Sequence, residues 1–577
     1  MTPVAIPSAG GTCFAIYEAA PGPAVLMCPP FGDEALRTAR AWRDLAVDLQ
    51  ADGVASLRFD LPGTGNSAGE PADSDQVEAW RDAVRACVDW LARRHVGRVI
   101  LLGHRFGALL ALDAIAGGIA AERLILLDPP TSGAALVRYL RGRARIEGLG
   151  PPPEGEDYIQ LGGMPLSTLT MQGLAGLATS LPAEGLPPAL LVLNDSGNAP
   201  NPWPERLRAG GSAVESTRFD DFDDFVLQDR FRAKPPLALM AFIRSYVLQA
   251  GTARATAAGV AALPSDTLLE FEDCSETPLQ FGPEGGMFGI LCSPHQPSPD
   301  APALLLPTTG ADPCSGMSRM WTELARRVAR NGITSLRFDM SGVGESRGQW
   351  SGNPLAAAYH PDRMADLGRA VDALSELGFD RVAVVAYCSG AYAAWHAAIP
   401  DTRISGLFAA NLVHLNLQDT LAEEVLRSRP GQSRIGLKES CLSRLIPSRG
   451  KALLRELDDR TRRAVPTPIR HLLRRWEAEG REVRRHVKAL TARGCSVRIV
   501  MAKDDHGHLR LCRAYGETPR LPDGVDLVVI PDADHQFSNR HHRARFLDLA
   551  AAFAFQLRPH PFPSATPKAA RLPETAA

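Results

Sequence analysis

The sequence predicts an α/β fold built twice over. Two tandem domains are expected, each a mostly parallel sheet flanked by helices, the second with a helical lid. Three observations carry that expectation. The chain has 577 residues, and single hydrophobic cores stop growing beyond roughly 250–300 residues. A glycine-rich segment near residue 60 returns near residue 340. Within each half, short apolar runs alternate with helical patterns, which is how a parallel sheet covered by helices is written.

The repeat is explicit. Ser56-Leu-Arg-Phe-Asp60, with Gly63, Gly65, Ser67 and Gly69, returns as Ser335-Leu-Arg-Phe-Asp339, with Gly342, Gly344, Ser346 and Gly348. Each copy is followed by a helix (Asp75 to Arg94; Pro361 to Leu377), a short apolar strand (Val99 to Leu102; Val382 to Val385), a sharp turn and another helix. The expected domains are 1–250 and 266–558, joined by a small-residue linker at 251–265 and followed by a disordered Pro/Ala-rich tail at 559–577. The repeated turn lacks the Lys-Ser/Thr ending of a phosphate loop, so it reads as a tight turn after a strand.

Composition excludes several classes. Lys+Arg number 63 and Asp+Glu 65, which gives no electrostatic reason to expect nucleic acid or an anionic membrane as the main partner. No run approaches the roughly 20 apolar residues of a bilayer span, and the first residues do not read as a signal peptide. The ten cysteines are scattered, with no Cys-x-x-Cys pair. Neither a metal, another cofactor nor a disulfide framework is expected, and a reducing cytoplasm is the simplest compartment.

Chemistry is concentrated in the second half. Ala386-Tyr-Cys388-Ser389-Gly390-Ala391 fits a nucleophile on a sharp strand-to-helix turn. Such a turn needs small residues two before and two after the nucleophile, because larger ones would collide with the neighbouring strand and helix. Cys388 has Ala386 and Gly390 in those places. A register centred on Ser389 would put Tyr387 there.

The Asp-x-x-Gly-x-Gly-x-Ser turn followed by this elbow resembles the α/β-hydrolase superfamily, over most of both halves. The resemblance implies the chain order nucleophile, acid, histidine. It puts the acid after the apolar run 497–501, at Asp505 in preference to Asp504, and the histidine after the run 525–530, at His535. In those roles His535 passes a proton to the leaving group while Asp505 fixes its tautomer. A helix N-terminus and an imidazolium would both favour the Cys388 thiolate. Backbone N–H groups of Ser389 and of the loop at Thr308–Gly310, with Thr309 as candidate, would form the oxyanion hole. Residues from about 410 to 493 are expected to be a lid. From Arg427 to Arg493 there are 19 Lys+Arg against 7 Asp+Glu. That excess could steer an anionic acyl donor on CoA, a carrier protein or a glycan, although a solvated basic helix face has the same composition.

The first half keeps the frame and loses the site. Gly103-His104-Arg105-Phe106-Gly107 has the right glycines, but Arg105 cannot attack a carbonyl. The repeat places Asp223 where a histidine would stand and Asp195 where the acid would stand, so this half is expected to be non-hydrolytic. A cation and an anion in those positions suggest an Arg105–Asp223 ion pair. The competing reading leaves Arg105 to hold a ligand carboxylate or phosphate. His104 should point away from the elbow tip.

The Arg-for-Ser elbow is also similar to hydrolase-like families associated with exosortase and exopolysaccharide gene clusters. That similarity implies work on an acylated envelope polysaccharide. Three functions therefore stand: an ester or thioester hydrolase using a Cys388 acyl-enzyme, an acyltransferase using the same intermediate, and a binding or scaffold protein with both sites inert. The acyl group, the acceptor and the oligomeric state are left open.

Overall fold

The computed structural model describes residues 1–73, 75–95, 98–149, 157–194, 200–227, 235–251, 269–348, 357–412, 478–515, 519, 521 and 523–557. Asp195, nearly all of the linker, the tail and most of the expected lid lie outside these residues.

The first half forms an eight-stranded sheet from β1 (Thr2–Ile6), β2 (Cys13–Glu18), β3 (Ala24–Cys28), β4 (Ala55–Phe59), β5 (Val99–His104) and β6 (Arg123–Leu127). After the small hairpin of β7 (Tyr158–Leu161) and β8 (Met164–Ser167), the sheet is completed by β9 (Ala189–Leu193) and β10 (Val214–Arg218). Its order is β1-β2-β4-β3-β5-β6-β9-β10, parallel from β4 to β10 with β1 and β2 antiparallel at one edge.

The second half repeats the plan with β11 (Leu269–Glu270), β12 (Cys274–Phe281), β13 (Met287–Pro294), β14 (Ala303–Pro307), β15 (Ser335–Phe338), β16 (Val382–Tyr387), β17 (Ile404–Ala410), β18 (Ser496–Ala502) and β19 (Val525–Ile530). Their order is β11-β12-β13-β15-β14-β16-β17-β18-β19. Central strands such as β5 and β16 are buried at every residue, as expected for strands with helices on both faces. Both run two residues beyond the apolar stretch that predicts them. Gly103 and His104 still pair with β6, and Ala386 and Tyr387 still pair with β17. The ladder thus carries each chain to the elbow itself.

The repeated turn also joins the halves. Arg58 of β4 pairs with Glu345, at 2.9 Å for its second nitrogen. The equivalent Arg337 of β15 donates to Asn66 Oδ1 at 3.2 Å, while its main partner is the buried Glu276 at 2.8 and 2.9 Å. Arg43 donates to the carbonyls of Gly344 and Ser346, and Thr322, its equivalent, donates to the carbonyl of Gly65. Each domain therefore grips the other's glycine turn, in an approximately two-fold arrangement.

Candidate active site

Both elbows hold a non-glycine residue in the left-handed region, Arg105 at φ 49° and Cys388 at φ 52°. For an L-residue that conformation costs roughly 1–2 kcal/mol, so the surrounding packing must impose it. The flanks show how. A Cβ on Gly107 would meet the Cys28 carbonyl at 2.1 Å, and one on Gly390 would meet the Thr308 carbonyl at 2.9 Å. The helix after each elbow packs that closely on the loop that follows β3 or β14.

In the second domain Cys388 opens the helix Cys388–Ala397 and is buried, 7% exposed. Ser389 faces elsewhere: its hydroxyl oxygen accepts from the Gly310 N–H at 2.9 Å. The Thr309 hydroxyl donates to the Tyr387 carbonyl at 2.8 Å. Among the described residues the Thr309 backbone N–H has no hydrogen-bond partner. The Ser389 N–H lies in the helix's first turn, where N–H groups have no partner within the helix.

Asp505 follows β18 and His535 follows β19. The Asp505 carboxylate is buried and hydrogen-bonded to His535 Nδ1, and its other oxygen accepts from the Gly507 N–H at 2.7 Å. Asp504, one residue earlier, is exposed. Burial pushes the Asp505 carboxyl up, but the bond and charge of His535 outweigh it and hold the group below its ordinary value. For His535 burial pushes down. Its interactions with Cys388 and Asp505 prevail, and the imidazole is raised to about 11. His535 is thus hydrogen-bonded to Asp505 through Nδ1 and lies near enough to Cys388 for the sulfur to raise its proton affinity. Phe537, buried and stacked on Phe546 with centroids 4.7 Å apart, pins the histidine loop.

Asn411 was not foreseen. It ends β17 at φ 44°, fully buried, and its side chain donates to the His535 carbonyl at 2.7 Å while accepting from the Ala502 N–H at 2.7 Å. One amide therefore ties the histidine loop to the strand that leads into Asp505. The signal for it is a lone polar residue at the end of an apolar strand beside the elbow strand.

The first domain is different in kind. Arg105 lies 2.8 Å from Asp128 and 3.2 Å from Glu34, with its guanidinium 4.5 Å from the centre of the Tyr139 ring. Burial lowers its proton affinity, but Glu34 and Asp128 raise it further. Its partners among the described side chains are these carboxylates, supplied by the segments after β3 and β6. The partner expected from the sequence, Asp223, was taken from the alignment of the repeat. Asp223 begins a short π-helical turn, Asp223–Leu227, and its side chain lies outside the described residues. Nor is Arg105 an open anion site, since two carboxylates already occupy it. His104 is fully buried against Phe225, stacked at 5.8 Å, and burial lowers its imidazole to about 3.

Comparison with known proteins agrees with this layout. Residues 303–549 match the model of the Alpha/beta hydrolase family, and residues 20–142 match one described as Serine aminopeptidase, S33. Two uncharacterized proteins from strains of Mycobacterium tuberculosis are each 35% identical over 130 residues, spanning 21% of this chain and 42% of theirs. The chain therefore covers less than half the length of these relatives. Similar solved structures include Est1E from Butyrivibrio proteoclasticus with ferulic acid bound (21% identity, TM-score 0.32, 43% of this chain and 98% of that one). A second is alpha/beta hydrolase domain-containing protein 10 from mouse (18% identity, TM-score 0.31, 43% and 99%). Among the described residues no helix is long and apolar enough to cross a membrane. The fold is thus α/β, with two mostly parallel sheets flanked by helices that match two α/β-hydrolase domains.

Proposed function

We propose that the second domain hydrolyses an ester or thioester through a covalent intermediate on Cys388, with His535 carrying the proton and Asp505 orienting it. The observation that supports this best is the His535 imidazole, hydrogen-bonded to the Asp505 carboxylate and within electrostatic reach of Cys388 at its left-handed elbow. In this reading the Cys388 sulfur attacks the acyl carbon, and the carbonyl oxygen gathers charge beside the Ser389 and Thr309 N–H groups. The bond to the leaving oxygen or sulfur breaks, and that atom takes the proton from His535. Water then gives a proton to His535 as it attacks the thioester, the C–S bond breaks, and the carboxylic acid departs. The first domain has no nucleophile at its elbow, and in this reading it performs no hydrolysis.

Peptide mass spectrometry after exposure to a panel of activated acyl esters tests the reading. An acyl adduct on Cys388, absent from Cys388→Ala, is expected. No adduct with any ester, together with no selective alkylation of Cys388 among the ten cysteines, would replace the hydrolase with a binding protein. An adduct that disappears faster with an added alcohol than in water alone would replace hydrolysis with acyl transfer.

A further inference from the structure

Between the two domains lies a cavity of about 200 Å³ walled by both. It sits on the approximate two-fold relation of the halves. Phe14 of β2 and its equivalent Phe288 of β13 meet there, with ring centroids 6.3 Å apart. Trp42 and Met164 of the first domain and Met317 of the second add apolar surface to the wall. A dry apolar cavity of about 150 Å³ accommodates a small aromatic molecule, and ligand sites favour domain interfaces with a few polar groups in apolar walls.

The polar groups narrow the chemistry. Arg58 and Glu345 satisfy one another, and Asp339 accepts N–H groups from Cys314 and Glu345 at 2.6 and 2.8 Å. Asp60 is different. One of its oxygens accepts from the Asn66 N–H at 2.8 Å, and among the described residues the other has no hydrogen-bond partner. Burial lifts this carboxyl to about 6, so it is ionised near pH 7.5. A ligand group that donates a hydrogen bond would complete it. A ligand carboxylate would meet Asp60 and Glu345, and a ligand ammonium would meet Arg58 and the buried Arg319, which also line the wall. Charges of both signs leave a neutral donor, a hydroxyl, as the suitable head group.

We propose that this cavity binds a small apolar alcohol or phenol, whose hydroxyl donates to Asp60 and whose hydrocarbon part lies between Phe14, Phe288 and Trp42. The closing loop has the features of a clamp. Ser318 and Arg319 both hold left-handed backbone, at φ 47° and 56°, a strain that clusters at ligand clamps and switch regions. That loop continues directly from Thr309 and Gly310, and Ser318 donates to the Gly162 carbonyl of the β7–β8 hairpin. The same hairpin reaches the segment that follows His535: Gln160 accepts from the Arg540 N–H at 2.7 Å, and the Gly163 carbonyl accepts from Arg543. Occupancy of the cavity is thereby coupled to both sides of the Cys388 site.

Isothermal titration of the full chain at pH 7.5 with 1-hexanol and 4-ethylphenol, beside hexanoate and hexylamine, tests the site without reference to acyl transfer. Saturable one-to-one binding of the alcohol and the phenol is expected. Affinity should fall at least tenfold in Ala35→Phe, which fills the cavity from its wall, with Ala39→Phe as a second filling variant should the first fail to fold. No saturable binding, unchanged affinity in the folded filling variants, or tighter binding of hexanoate or hexylamine would overturn the site. The rate of Cys388 alkylation by iodoacetamide, read by peptide mass spectrometry, should change at least twofold with 4-ethylphenol in the parent chain and not in the filled variant. Saturable binding with an unchanged rate would overturn the coupling alone.

Discussion

Arg105 and Cys388 stand at equivalent strand-to-helix turns, with φ values of 49° and 52°, and the residues that end the next strand decide what each turn does. After β6 that residue is Asp128, which lies 2.8 Å from Arg105. After β17 it is Asn411, which carries no charge and instead ties the His535 loop to β18. Even the backbone matches, at φ 43° for Asp128 and 44° for Asn411. The left-handed elbow is thus a property of the fold, maintained wherever the helix packs close to the preceding loop. Reactivity is added by side chains around it. In the first domain those side chains neutralise a cation, and in the second they organise an imidazole.

The largest effect is expected at Cys388, the proposed nucleophile. Cys388→Ala should abolish the acyl adduct and lower turnover by at least about 10⁴-fold, as loss of a nucleophile does in enzymes whose catalytic groups act as a unit. Ser389→Ala removes only a contact to Gly310 and should stay within about tenfold of the parent chain, provided its backbone N–H is unmoved. Equal loss in both would show that the elbow has been read in the wrong register. Next comes the acid. Asp505→Asn should lower turnover by about 10³-fold through loss of imidazole orientation, while the exposed Asp504→Asn should be close to silent. Reversal of that pair would move the acid by one residue.

In the first domain the comparison is tested by stability. Arg105→Leu leaves Glu34 and Asp128 facing one another without their cation and should cost about 3 kcal/mol in denaturant unfolding. Acylation of Cys388 should be unchanged in the fraction that remains folded. A stable variant would mean that the network around Arg105 contributes little to folding. A smaller effect is expected at Asn411. Asn411→Ala leaves the Ala502 N–H and the His535 carbonyl unpaired and should slow turnover by about tenfold to a hundredfold, the scale of a misplacement of roughly 1 Å. The loss should fall on kcat more than on KM, because the amide positions His535 and is not expected to touch substrate.

These residues also show how far the sequence could be read. The repeat and the strand–helix alternation are local patterns, and both sheets follow from them. The elbow at Cys388 was legible because packing forces small residues onto both sides of such a turn, and Ala386 and Gly390 stand there. Asp505 and His535 were placed by chain order after two apolar strands, which required the family resemblance. Asn411 carries no motif, since its role depends on where β18 and the His535 loop arrive in space. Glu34 and Asp128 beside Arg105 were out of reach of the sequence for the same reason. Alignment of the repeat offered Asp223, whose side chain lies outside the described residues, and the described carboxylates that reach Arg105 come from the segments after β3 and β6. Contacts between the halves, such as Arg58 with Glu345, join residues far apart in sequence and leave no local periodicity at all.

Titration supplies the finest contrast between the two sites. An unfolded histidine titrates near about 6.5. His535 is raised to about 11 in the folded chain, chiefly by Cys388 and Asp505 acting against burial. Its contribution to stability is therefore complete below about 6.5 and is lost as the pH climbs through the folded value. His104 is lowered to about 3 by burial and by the neighbouring Arg105. Holding it neutral costs nothing well above 6.5 and progressively more as the pH falls below that value. The two histidines thus give opposite slopes. The stability advantage of the parent chain over His535→Gln should be about 1 kcal/mol at pH 6, the scale of a partly exposed pair, and should shrink toward pH 10. His104→Phe should gain on the parent chain between pH 7 and pH 5. Urea unfolding of the three proteins from about pH 5 to about pH 10 reads both. An advantage of His535 that grows with pH would mean the imidazole is not held protonated by its neighbours. Flat behaviour at His104 would mean that its burial is relieved by opening of the aromatic cluster around Phe225.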